Sequence, residues 1–192
     1  MIFYLKESVK RCLWLVRETW YNINKQSRER VSGMNDTNVV PVFGKVDSVD
    51  FAVYLSQKAI ELNKSVNVTK LQKWLYICYG LYFAFYGEQL LTERPKAWEF
   101  GPVFPKVYNK QRKRNTLNDL PIETSLGELK QYDEVIRVTL ENFGDWTASQ
   151  LVAWTHEKGK AWDKTYNHFD ARNGNMDNND IIKDFEGMLS NG

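Results

Sequence analysis

Few residues of this 192-residue chain have the type and spacing to do covalent chemistry. It holds two histidines, His156 and His168, and two cysteines, Cys12 and Cys78. His156-Glu157 is the one adjacent acid/base pair. Neighbours on a helix point about 100° apart, so these two side chains do not form a preorganised dyad. His156 is expected instead as a strut whose hydrogen bonds hold one helix to the next. Neither cysteine sits in a CxxC pair, and no spacing matches a structural zinc site or an HExxH helix. Two isolated thiols suit a reducing cytoplasm. Asn173, Asn175, Asp177 and Asp184 resemble part of a calcium loop, but Asn178 takes its glycine position and the closing bidentate Glu is missing. There is no GxSxG, no GxxxxGK[ST], and no GxGxxG after a strand. No catalytic residue, cofactor or metal is therefore expected.

What the chain does supply is contact area. Hydrophobic residues make up 43% and aromatics 14%, with seven tryptophans, which excludes disordered and collagen-like classes and provides side chains that dominate cores and partner surfaces. Charge is unevenly spread. Residues 1–34 carry seven basic and three acidic side chains, a charge of +4 that leaves −2 on the rest of the chain, a mildly acidic body behind a basic arm. The body has one basic run, Lys106, Lys110, Arg112, Lys113 and Arg114, interrupted by Tyr108 and free of acids. Three readings stand open for it: a solvated face favoured by the helix dipole, a dock for an acidic protein surface, or a contact with phosphate.

The elements that must position these groups are mostly helical. Ile2, Leu5, Val9, Leu13, Val16 and Trp20 recur every three or four residues and predict an amphipathic N-terminal helix, too short in apolar run to span a bilayer. It reads as docked on the body or on a twin chain, or as a basic helix on a membrane surface. The polar stretch before Met34 makes residues 1–33 a variable extension or translated upstream sequence. Asp47 or Ser48 caps a helix to residue 63, and Thr69 precedes a longer one over 70–86, apolar on all sides and closed by Gly87. Such a helix belongs at the centre of the core. Leu90-Leu91 and residues 97–100 flank the Pro95 turn as a small hairpin. Helices follow over 106–114, from Ser125 to Phe143 as one piece, from the Thr147/Gln150 capping box to Gly159, around Trp162, and over 181–189, the last after an Asn- and Asp-rich loop at 170–180.

Three clusters stand above this background. They are Thr69-Lys70-Leu71-Gln72-Lys73-Trp74-Leu75-Tyr76; Ala97-Trp98-Glu99-Phe100-Gly101-Pro102-Val103-Phe104-Pro105-Lys106-Val107-Tyr108; and Leu151 followed by Thr155-His156-Glu157, Ala161-Trp162 and Thr165-Tyr166. In this order the chain resembles the Panacea domain, the SocA-like antitoxin family that also includes the phage-associated GepA proteins. The likeness covers residues 46–189 and is most specific in the AW-aromatic-GPV-x-P-x-x-Y stretch. Trp74 departs from it, standing where the family usually has a smaller aliphatic residue. Residues 1–45 lie outside it, which divides the chain into an N-terminal arm (1–45) and a Panacea-like domain (46–192).

The resemblance implies a non-enzymatic antitoxin that neutralises a toxin encoded nearby by direct contact. The expected fold is mainly α, a single helical domain around a buried central helix with a small β-hairpin. The expected partner-contacting set is Trp98, Phe104, Lys106, Tyr108, Lys110 and Arg112, with Lys73, Glu99 and His156 as polar struts behind it. A second reading of the same segment has Trp98 and Phe100 plugging the core while the prolines set the turn. A regulator binding the nucleic acid of a prophage or toxin-antitoxin operon, an adaptor delivering the toxin to a protease, and a homo-oligomer also stay open.

Overall fold

Every helix leaves its first N–H groups without intrahelical partners, and at several helix starts a capping side chain of this chain accepts from one or two of them. The computed structural model describes residues 45–113, 117 and 120–190, the side chains of 187–190 excepted. The expected N-terminal helix, Cys12 and Arg114 lie outside the described residues. Helix α1 (Ser48–Glu61) starts at Asp47, whose carboxylate accepts from the N–H groups of Val49 at 2.8 Å and Asp50 at 3.3 Å. Helix α2 (Val68–Tyr86) begins two residues ahead of the expected start because Asn67 caps it, accepting from Lys70 N–H at 2.9 Å. It ends at Gly87, whose φ of 71° is the left-handed geometry that glycine enters without a Cβ clash.

Residues 45–187 form one compact unit with α2 through its middle. Of α2, residues 70–82 are all buried, as expected of a helix that is apolar on every side. Its tyrosines fill the core with edge-on and tilted ring contacts. Tyr76 meets Phe185 at 5.6 Å, and Tyr79 meets Phe104 at 5.8 Å. Around it lie α3 (Pro105–Arg112), α4 (Leu126–Lys130), α5 (Asp133–Phe143), α6 (Ala148–Thr155), α7 (Ala161–Tyr166), a 3-10 turn (Phe169–Ala171) and α8 (Asn178–Ser190). No described helix is long and apolar enough to cross a membrane.

Three expectations need correcting. Helix α6 ends at Thr155, with His156 as its C-cap, and does not reach Gly159. The single helix from Ser125 to Phe143 is two, α4 and α5, broken at Tyr132 (φ −97°, ψ 1°). Tyr132 is buried edge-on against Phe51 of α1 at 5.7 Å and Tyr82 of α2 at 5.6 Å. The bend keeps that ring between two helices, while Tyr54 Oη donates to Asp133 at 2.6 Å and holds the first turn of α5. The hairpin is also displaced. Its strands are β1 (Lys96–Trp98) and β2 (Gly101–Val103), antiparallel with Lys96 opposite Val103 and Trp98 opposite Gly101. Leu90-Leu91 does not pair with β1. The segment bonds to Val46 instead, through Val46 N–H to Leu90 O at 3.0 Å and Thr92 N–H to Val46 O at 2.9 Å. The positive φ of Gly101, 98°, lets the chain return after a two-residue turn at Glu99-Phe100.

The ends of α5 show how tightly α2 is tied in. Trp74 Nε1 donates to Phe143 O at 3.1 Å, and Lys70 Nζ donates to Gly144 O at 2.8 Å. Two carbonyls at a helix C-terminus are thus met by side chains of the central helix. Trp74 is more than a larger packing group, because its indole N–H makes a bond no aliphatic residue could.

Gly80 faces the ring of Phe185, where an added Cβ would lie 2.0 Å from a ring carbon. Gly80→Ala should therefore destabilise the protein by about 1–3 kcal/mol through overpacking, despite alanine's better helix propensity. The urea midpoint reads this. A midpoint at or above that of the wild type would contradict the close seating of α8 on α2.

Candidate functional site

The three sequence clusters converge on the small hairpin. Strand β1 has neighbours on both edges: β2 on one, and residues 173–176 on the other, through Ala97 N–H to Gly174 O at 3.0 Å and Asn173 N–H to Ala97 O at 3.0 Å. Strand β2 faces α2 rather than a third strand. Lys73 Nζ donates to Pro102 O at 3.0 Å, and Gln72 Oε1 accepts from Phe104 N–H at 2.7 Å. Two long side chains of the first cluster therefore serve the strand edge of the second, where backbone polar groups must find partners once buried. Phe104 is also the residue before α3, so Gln72 anchors the start of that helix.

The third cluster secures the other side. Thr155 Oγ1 and Lys73 Nζ press against Gly101, where a Cβ would lie 2.8 Å and 2.7 Å from them. Gly101 is thus required twice, for its positive φ and for this close approach. Trp162 Nε1 donates to Trp98 O at 2.8 Å, pinning β1 just before its turn. Trp162 is itself clamped between rings, with His156 stacked on it at 3.5 Å and Tyr166 at 4.7 Å. Arg172 lies over Tyr166 at 4.6 Å and closes the column.

Lys73 is 1% exposed. Burial pulls its amine down from the ordinary 10.5 to about 7. His156 is pulled down to about 4, by burial first and then by the charge of Lys73. Its Nε2 is buried with no hydrogen-bond partner among the described residues. His156 therefore joins helices α6 and α7 by stacking and not by the hydrogen bonds expected of it. Glu157 turns away to pair with Lys160 at 2.9 Å, so the only adjacent acid/base pair in the sequence diverges in space. The calcium-like residues are engaged elsewhere. Asn173 bonds to β1, Asp177 accepts from Asn179 N–H at 2.8 Å at the start of α8, and Asp184 accepts from Ala161 N–H at 2.8 Å. Among the described residues no three His, Cys, Asp or Glu side chains gather as a metal site.

The expected contact set is divided by the fold. Trp98 and Tyr108 are half-buried and meet edge-on at 5.2 Å. Lys106, Lys110 and Arg112 are exposed on α3. Phe104 is wholly buried against Tyr79, so it belongs to the core and not to an outer surface. The residue types gave no warning, since Phe104 lies on the inward face of α3 with Val107 and Gln111, a pattern legible only once the helix start is known. Glu99 is exposed in the turn and is no buried strut, because a two-residue turn points its side chains outward. The sequence reading missed two groups. Phe100, assigned to the core in one reading, is 68% exposed at the hairpin tip, and Gln72 was quoted in a cluster without a role.

The lysine makes a pH signature. Between pH 7 and 10.5 the unfolded chain holds a proton on Lys73 that the folded chain lacks, so this group makes stability rise with pH across that window. Lys73→Met should lose that part of the rise. Urea midpoints of both proteins at the two ends of the window measure it, and parallel curves would refute the assignment.

Comparison with known proteins bears on the same residues. The family model described as antitoxin SocA-like, Panacea domain, matches residues 71–163, a stretch that contains β1, β2 and most of the three clusters. Antitoxin SocA of Caulobacter vibrioides (strain NA1000 / CB15N) is 34% identical over 130 residues, covering 62% of this chain and 69% of that protein. No solved structure matches. With more than two thirds of that relative aligned at this identity, the chain belongs to the SocA-like antitoxin family, the Panacea domain.

Proposed function

We propose that this chain neutralises a toxin encoded beside it by binding that toxin directly in the cytoplasm, with no catalytic step. Kinship with an antitoxin supports the class. The observation that carries the mode of action is the hairpin, a short projection fixed at both edges and at its base. It presents Phe100, 68% exposed, beside the half-buried Trp98–Tyr108 pair. Aromatic side chains held on a rigid base lose little freedom on binding, which is how a few residues come to dominate an interface. The divergence of the acid/base candidates supports a contact role for this region.

Growth rescue tests this. The adjacent reading frame is expressed alone and with this chain, and protection by the wild type is expected with a stable complex on purification. Trp98→Ala and Phe100→Ala should each weaken the complex, by about 2–4 kcal/mol for a residue that acts as a hot spot, while circular dichroism shows an unchanged fold. Toxin lifetime should be the same with and without the antitoxin. Disappearance of the toxin would replace blocking by delivery to a protease, and full protection by both folded variants would remove the hairpin from the interface.

A further inference from the structure

Helix α3 has three distinct faces. Phe104, just ahead of it, Val107 and Gln111 point into the core. Tyr108, with Arg112 one turn on, lies on the hairpin side, where Tyr108 meets Trp98 at 5.2 Å. Lys106, Lys110 and Lys113 fall at i, i+4 and i+7 and make an exposed stripe. The stripe is about 10 Å long at 1.5 Å per residue. Some cations elsewhere in the fold have acids at hand: Lys64 pairs with Asp145 at 2.7 Å, Lys164 with Asp180 at 2.7 Å, and Arg137 with both Glu134 and Glu141 at 2.6 Å. Among the described residues, Lys110, Arg112 and Lys113 have no carboxylate within ion-pairing distance, and Lys106 reaches Asp47 only at 3.9 Å.

Helix stability does not account for this arrangement. Cations in a last turn are favoured by the dipole, which covers Lys110 and Arg112, but Lys106 stands in the first turn, where the dipole disfavours it. From this geometry we infer that the α3 stripe, with Arg112 and the Trp98–Tyr108 pair beside it, docks a short acidic segment of the toxin. The inference rests on the direct-binding reading above. A segment of about three extended residues matches the length of the stripe. The surroundings favour a protein over a nucleic acid. Carboxylates bound the patch at one end, where Glu93 accepts from Lys106 N–H at 3.3 Å beside Asp47, and Glu99 lies exposed in the hairpin turn. A phosphate backbone running past Lys106 would meet Glu93 and Asp47, whereas a segment as short as the stripe ends before them. The division of labour is definite: the lysines steer the encounter and set its register, and the aromatic pair retains the partner once seated.

The test uses the full-length chain and the purified product of the adjacent toxin gene. Association rates are measured for the wild type and for the charge-reversed variant K110E/R112E/K113E, at about 50 and about 500 mM salt. These side chains are exposed, so the variant should melt like the wild type. The wild-type association rate should fall about tenfold or more at the higher salt, and reversal should slow association at low salt by a similar factor. Dissociation should change little. Reversing acids on the toxin to lysine should restore the rate of the triple variant. A complex that forms at equal rates for both proteins, with flat salt dependence, overturns the acidic partner and leaves direct binding standing. A DNA duplex that competes with the toxin for the stripe also overturns it. Failure to form any complex overturns both readings.

Discussion

A two-stranded hairpin on the side of a helical bundle has an edge with nothing to pair to, and the structure is organised around meeting that need. The backbone oxygen of Pro102 and the N–H of Phe104 lie against α2. Left unpaired there, each would carry the desolvation cost of a buried polar group, on the order of 1–3 kcal/mol. Lys73 and Gln72 supply the missing partners at 3.0 and 2.7 Å. They take the place of a third strand.

That solution imposes others. An amine at 1% exposure disfavours its own charge, so the site tolerates Lys73 by lowering its affinity for a proton. The amine also needs room, and only glycine at position 101 leaves it. With β2 held from within, β1 is held from outside by the indole of Trp162, which is kept in place by His156, Tyr166 and Arg172 stacked in one column. The polar histidine of the third cluster does its work as a flat surface. Gln72, Lys73, Thr155, His156, Trp162 and Tyr166 thus serve the hairpin or the start of α3, while Lys70 and Trp74 tie in the end of α5. The outcome is a rigid projection beside a helix whose outer face is basic. Rigidity and charge act at different stages of an encounter, the first in retention and the second in approach.

Much of this was legible in the residues. The all-round apolar run at 74–86 located the central helix, the Thr147/Gln150 box and Gly87 marked ends that the structure keeps, and the Gly-Pro-x-x-Pro stretch falls on the second strand and the start of α3. The misreadings have physical causes. Periodicity continued through Tyr132 because a bend that buries a tyrosine leaves the apolar spacing unchanged. The hairpin was placed too early because Leu90-Leu91 looks like a strand, whereas the true second strand, Gly101-Pro102-Val103, owes its edge partners to side chains 29 and 32 residues earlier in the chain. Phe104 was assigned to the surface because its neighbours on both sides carry the family signature.

Alone, the amino-acid order determined the helical class, several helix ends, the absence of any contiguous catalytic motif, and the kinship expressed in three short clusters. These are local properties, set by spacing and by side-chain chemistry within a few residues. Only the tertiary structure decided that the clusters meet, that Lys73 lies buried against Pro102 while Phe100 stands in solvent, and that Lys106, Lys110 and Lys113 share an open face. Burial and pairing are properties of what lies opposite a side chain, and what lies opposite is chosen by packing between elements far apart in the chain.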